Sequence, residues 1–378
     1  MQRHESRETI ILNTFKKYEK NKLIKHMLIS AQSLEGDFKF DYNYGVKDED
    51  GTPVNQQTPF MIASVTKLFI ATTILKLHEL KQLNINDLIT KYLEDDLIEG
   101  IHVYQGKSNH KAISIKHLLS HTSGILDYIE IKDINKKTIF DRVINDGDTV
   151  FNIPEMLSIV KKAQGAYFNV QSFEDKKIKA RYSDTNFQLL RAIIEKVTGT
   201  ECDNALHQYI FSPLGMKDTF LPSDELKNPY IDVAKLWVME DSLNRPLALR
   251  SFGDYYSTKN DLFVFMRGLI KLKVFKNQST LDLMMNDFNT FGLSFSPVAP
   301  AWPIAYSMGM MKFTMPLLFS KFKRMPTVYG HTGVGSAFLF YSPKLDLMLC
   351  GTVGQVRYTA LPFQVLPKLL IQLDKLSV

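Results

Sequence analysis

Apolar residues recur at helical spacing in the first stretch of the chain. Within residues 5–22, Ile10, Ile11, Leu12 and Phe15 fall among charged positions, which predicts an amphipathic helix. Short apolar and aromatic runs at 27–29 and 38–44 then flank Glu35-Gly36-Asp37, the pattern of a hairpin. A second hairpin is predicted near the other end, where runs at 337–341 and 345–352 are separated by Ser342-Pro343-Lys344. Helical periodicity returns at about 360–376. Between the hairpins, roughly over 66–250, the pattern is mostly helical, with segments at 67–80, 115–120, 186–197 and 202–211. Strands at both ends with helices between them predict an α/β (α+β) fold. Its antiparallel sheet is built from the N- and C-terminal strands and flanked by the first and last helices, and a mostly helical region is inserted. The expected division is 1–65 plus 251–378 for the sheet part and 66–250 for the helical part, with a cleft between them.

Length and composition narrow the picture only a little. The chain has 378 residues, enough for two or three domains, but no repeat, low-complexity tract or Pro/Gly/Ser linker divides it. Hydrophobic residues make up 45% and charged residues 23%, which argues against a disordered chain. Two cysteines, Cys202 and Cys350, exclude a disulfide framework and a Cys-rich zinc module, and they read as buried thiols. The net charge of +6 is spread in short basic runs broken by acids, so no nucleic-acid partner is expected. No apolar run reaches 18 residues, so no membrane span is expected. The first residues lack a secretory pattern, which predicts a cytoplasmic protein, or a periplasmic or extracellular one if a signal has been removed.

Three segments carry candidate chemistry. Ser64 and Lys67 lie at i and i+3, on one face of a helix that is apolar through Leu77. A serine at a helix start meets unpaired N–H groups and the positive end of the helix dipole, and a neighbouring amine can take its proton. Burial would pull the pKa of that lysine down. The spacing itself is common, recurring at Ser108/Lys111 and Ser158/Lys161, and a plain N-cap is the simplest reading of a lone serine here. Tyr182-Ser183-Asp184 precedes an amphipathic helix, and a tyrosine at such a corner can hand its hydroxyl proton to a reacting group. Gly330-His331-Thr332-Gly333-Val334-Gly335 enters a strand, and its glycines permit close backbone approach to a ligand.

Ser64-x-x-Lys67, Tyr182-x-Asp184 and His331-Thr332-Gly333, in that order, resemble the three-motif signature of serine β-lactamases and penicillin-binding proteins. Flanking stretches at 115–124, 213–219 and 257–262 are also similar, and the resemblance covers roughly 25–375. It points to the class C-like branch, which includes D-alanyl-D-alanine carboxypeptidases, D-amino-acid peptidases and esterases.

The resemblance implies one catalytic unit that acts by acyl transfer on an ester or amide, such as a small ester, a short D-amino-acid peptide or a β-lactam-like molecule. It implies no cofactor and no metal, and it leaves the oligomeric state open. Ser64 would be the nucleophile, Lys67 its proton acceptor or electrostatic partner, and Tyr182 the proton shuttle. The backbone N–H groups of Ser64 and Val334 would form the oxyanion hole. His331 and Thr332 would meet a substrate carboxylate, with Gly333 beside them.

Two departures stand out. Asp184 occupies a position where the family usually has Asn. An anion there would hold Lys67 charged and shift proton transfer toward Tyr182. His331 replaces the lysine of β-lactamases, which predicts a weaker carboxylate grip as pH rises and slow β-lactam turnover. The polar stretch 125–175 is expected to border the cleft and set substrate choice. A catalytically idle relative used for binding or scaffolding is the rival reading. A zinc site at His117 and His121 is weaker, because Leu118 stands where a metalloprotease needs Glu.

Overall fold

The structure, a computed structural model, describes residues 6–223, 232–292, 302, 304–314 and 324–376. The chain starts with α1 (Arg7–Lys16), capped by the Ser6 hydroxyl, which accepts the Thr9 N–H at 3.3 Å. Strands β1 (His26–Gln32) and β2 (Lys39–Gly45) form the first predicted hairpin, with His26 opposite Gly45. The short strand β3 (Phe60–Met61) leads into α2 (Thr66–Glu79), and the helical region continues through α3 (Ile115–Leu119) and α4 (Asp184–Thr198). The chain leaves that region through β4 (Tyr256–Ser257) and α5 (Lys259–Ile270). Then come β5 (Asn289–Thr290), β6 (Ala305–Tyr306), β7 (Met311–Phe313), β8 (Val328–Gly333), β9 (Ala337–Ser342) and β10 (Leu347–Thr352), and α6 (Leu361–Asp374) follows.

Eight of these strands form one antiparallel sheet in the order β2-β1-β10-β9-β8-β7-β6-β5. Leu28 of β1 lies opposite Thr352 of β10, so the two terminal hairpins join edge to edge as the pattern predicted. Every residue of β9 is buried, because both faces of the sheet are covered. Phe338 and Phe340 pack with Ile11, Phe15, Leu366 and Leu370 from α1 and α6. Ala337, Leu339 and Tyr341 face the other way, into the core that holds Leu68 of α2 and Leu262 of α5. The two-residue period of the strand thus splits one apolar run between two cores.

The helical region is stitched to the sheet part at its entrance and exit. Phe60 of β3 pairs with Ser257 of β4, and the Ile62 N–H donates to the Tyr255 carbonyl at 2.9 Å. Phe69 anchors α2 behind this seam, with its ring edge-on to Phe265 at 4.6 Å and to Phe211 at 5.2 Å. Phe69→Ala is expected to cost about 3–5 kcal/mol, read as a shift of the urea midpoint at unchanged slope. An unshifted midpoint would refute this account of the core.

Candidate active site

The sequence predicts a helix that begins near Ser64. The structure instead places a single 3-10 turn, Ala63–Val65, ahead of α2. Ala63 sits at φ +48, a left-handed conformation that costs roughly 1–3 kcal/mol for a residue with a Cβ. Its neighbours hold it there. Ile62 is tied to Tyr255, and the Val65 N–H donates to the Ile62 carbonyl at 3.1 Å. Strand β8 presses on the same turn: a Cβ on Gly333 would lie 2.6 Å from the Ile62 oxygen and 3.0 Å from the Ser64 nitrogen. The glycine spacing suggested close approach by a ligand; at Gly333 the close neighbour is the chain's own Ile62–Ser64 turn. This approach also brings Val334 beside the Ser64 turn.

Ser64 does not cap α2 with its side chain. Its Oγ instead accepts a hydrogen bond from Lys67 Nζ at 3.0 Å, and the Tyr182 hydroxyl is hydrogen-bonded to Ser64 as well. Lys67 is buried, forms an ion pair with Asp184, and lies 5.3 Å from the Tyr182 ring centre. Burial works against its charge, but the Asp184 and Asp254 carboxylates outweigh burial, so its pKa is raised. Of the two influences foreseen for Lys67, the anionic partner prevails. Burial, reinforced by the Asp184 charge, also pushes the Tyr182 hydroxyl well above the usual tyrosine range.

The segment after α3 positions Tyr182 and Asp184. Ser183 occupies the cap position of α4 but makes no side-chain cap bond. Its N–H donates to His121 Nδ1 at 3.2 Å and its hydroxyl to the Leu126 carbonyl at 3.3 Å. Thr185 Oγ1 donates to the same carbonyl at 2.7 Å, and Ser123 Oγ donates to Asn186 Oδ1 at 2.7 Å. The Asp127 carboxylate takes the Asp184 N–H, so a side chain from this loop caps α4. His121 Nδ1 receives both the Ser183 N–H and the Asn186 amide. His117 is occupied at both ring nitrogens, by Ser114 and by the Gln171 carbonyl at 2.8 Å. Among the described residues, no group of three His, Cys, Asp or Glu side chains is placed to hold a metal.

His331 and Thr332 lie at the end of β8, and both are buried. The imidazole is turned inward. Nδ1–H donates to the Thr332 carbonyl at 2.6 Å, so Nε2 carries the lone pair and accepts from the Tyr306 hydroxyl at 3.1 Å. Burial, with Lys67 nearby, pushes its pKa down to about 3. The ring is therefore neutral throughout the ordinary pH range. The expectation of a half-charged imidazole whose grip fades with rising pH is corrected on that ground.

Three residues of the cleft were missed in the sequence. Asp127 and Asp254 face the Lys67–Asp184 pair, and burial pushes the Asp254 carboxyl up to about 6. Tyr306 packs on His121 at 4.6 Å and closes the back of the site.

A family model described as Beta-lactamase matches residues 34–352, well over half of the chain. PbpX of Bacillus subtilis (strain 168), which is named as a penicillin-binding protein, is 27% identical over 282 residues, covering 70% of this chain and 63% of that protein. The teichoic acid D-alanine hydrolase of Staphylococcus aureus is 25% identical over 263 residues, covering 68% and 57% respectively. The chain thus spans about 57–63% of the length of these curated relatives. The D-amino acid amidase of Ochrobactrum anthropi SV3, solved with D-phenylalanine, superposes with a TM-score of 0.73 at 19% identity, over 98% of this chain and 99% of that one, and so shares the fold. The sequence match and the shared fold agree: the chain belongs to the beta-lactamase family.

Proposed function

We propose that the chain hydrolyses small esters or amides through an acyl-Ser64 intermediate. The observation that carries this reading is the convergence on one hydroxyl: Lys67 Nζ lies 3.0 Å from Ser64 Oγ, and Tyr182 is bonded to the same residue. Ser64 Oγ bonds to the acyl carbon, and the backbone N–H groups of Ser64 and Val334 receive the oxyanion. The bond to the leaving group breaks, Tyr182 supplies its proton, and water then releases the acid. Thr332 and the end of β8 bind the polar end of the substrate, with His331 fixing Thr332 from behind. Segments 1–65 with 251–378 and 66–250 act as one catalytic unit across the cleft, and 125–175 shapes substrate choice.

Esters and D-aminoacyl amides fit this site better than β-lactams. The neutral His331 ring offers no fixed cation for the β-lactam carboxylate. The named relatives include a D-alanine hydrolase, and a fold neighbour is a D-amino acid amidase.

Incubation with a fluorophosphonate followed by mass spectrometry is expected to yield one adduct, on Ser64, that is absent in Ser64→Ala. A p-nitrophenyl ester and a D-alanyl amide are expected to turn over faster than a cephalosporin reporter. A chain that forms no adduct would be an idle relative, and efficient cephalosporin hydrolysis would overturn the substrate reading.

A further inference from the structure

The carboxylate next to Lys67 changes how the serine can lose its proton. Lys67 Nζ touches two groups at once: Ser64 Oγ at 3.0 Å and Asp184 Oδ1 in an ion pair. Hydroxyl, amine and carboxylate therefore form a continuous chain of contacts. Asp184 is the first residue of α4. An Asn at this position would offer Lys67 no group able to take a proton.

We propose that Asp184 is the terminal acceptor of the Ser64 proton, reached through Lys67. This rests on the acyl-Ser64 reading above. Lys67 passes one N–H proton to Asp184 Oδ1, and the lone pair this leaves on Nζ takes the Ser64 O–H proton. The freed electrons on Oγ form the bond to the acyl carbon. At that point Lys67 is an ammonium again, Asp184 is a neutral acid and the substrate carries the oxyanion. When the tetrahedral centre collapses, the leaving atom takes the Tyr182 proton. Tyr182 is refilled from Lys67, and Lys67 from Asp184. The Ser64 proton has then moved to the leaving group, and all three residues have returned to their starting forms.

Two other routes are harder. A neutral Lys67 would have to form beside Asp184 and Asp254, which raise its pKa. A Tyr182 phenolate is opposed by burial and by the same Asp184 charge. The remaining titratable groups around the pair act in the same direction. Asp127 comes from the loop after α3 and Asp254 from the loop before β4. Burial and the Asp184 charge push both of their carboxyls up, and Asp254 in turn helps hold the Lys67 proton. His121 and His331 are held neutral by burial, and Tyr128 and Tyr306 stay protonated for the same reason.

The test is the pH dependence of kcat/KM for a p-nitrophenyl ester, whose leaving group needs no proton. The wild-type protein is expected to run level through neutrality, with an acid limb below it. In Asp184→Asn, Lys67 must lose its proton to solvent before it can serve as a base. The rate at pH 7 should fall about 100-fold, and the acid limb should move to higher pH by about a unit or more. Asp184→Glu should return the limb toward its original place.

If Lys67 works alone, removing the anion lowers its pKa, and the limb of Asp184→Asn moves the opposite way. That result, or an unchanged rate at pH 7, overturns the proposal. A proton inventory on the wild-type protein gives an answer that depends on no variant: acylation should show a bowed plot from two protons in flight, and a straight line overturns the relay. Loss of the Ser64 adduct in the fluorophosphonate experiment would sink the acyl-enzyme reading itself, so the two failures are distinguishable.

Discussion

Lys67→Met is expected to lower kcat by about 10³–10⁴-fold while also destabilising the fold by about 3 kcal/mol. The activity loss follows from geometry, because the amine is the group that joins Ser64 Oγ to Asp184. The stability loss has a different origin. Met fills the space of the lysine stem but leaves Asp184 and Asp254 facing each other with no cation between them. The figure sits at the low end for a broken buried pair because the Asp184 side chain keeps 19% exposure to water. The double variant Lys67→Met/Asp184→Asn separates the two effects: it should regain much of the stability and none of the activity.

The pH dependence of that stability follows from the sign of the shift. The Lys67 pKa is raised in the folded protein, so its contribution is fully present below the ordinary lysine range. It is lost only as pH climbs through the folded value. Asp254 adds a second window: its carboxyl lies at about 6 with Lys67 holding it down, so in Lys67→Met it rises further and the gap between wild type and variant should widen from pH 6 to pH 8 before shrinking in strong alkali. Urea titrations at three pH values check this, and a gap that narrows between pH 6 and pH 8 would contradict it.

What could be read in advance was what repeats along the chain or clusters within a few residues. The hairpins of β1–β2 and β9–β10 show a two-residue period with turn residues between the runs, and both formed. The Ser64 turn, the Tyr182 corner and the end of β8 are each defined by near neighbours in sequence. Strands β5, β6 and β7 were not foreseen, because two or three residues carry too little pattern to declare a period. Asp127, Asp254 and Tyr306 were missed for a related reason. Each lies in a loop or very short strand, and nothing local to it distinguishes a side chain aimed at the cleft from one aimed at solvent. The inward turn of His331 depends on Tyr306, 25 residues away, so its neutrality is a tertiary property. The strained Ala63 is likewise held by partners at 255 and 333 rather than by its own preference.

Gly333→Ala is expected to reduce kcat by about 10²–10³-fold, the usual cost of losing one oxyanion-hole donor. Gly333 has φ −143, so alanine meets no backbone penalty there and the whole effect comes from collision. The new Cβ would fall 2.6 Å from the Ile62 carbonyl oxygen, 2.9 Å from the Ala63 Cβ and 3.0 Å from the Ser64 nitrogen. None of these atoms is the free end of a flexible side chain. Ile62 is tied to Tyr255 and Ala63 already sits at a strained φ, so the turn has little room to give. The end of β8 must move away, and the Val334 N–H moves with it. The shift widens the gap between the two N–H groups proposed to receive the oxyanion, while the Lys67–Asp184 pair and the Tyr182 corner stay in place. Because Thr332 moves with the end of β8, KM should rise alongside the fall in kcat, while the fold should lose only about 1–3 kcal/mol of stability. Steady-state kinetics beside a urea titration reads both quantities. Near wild-type kcat in a folded Gly333→Ala protein would remove β8 from the oxyanion site.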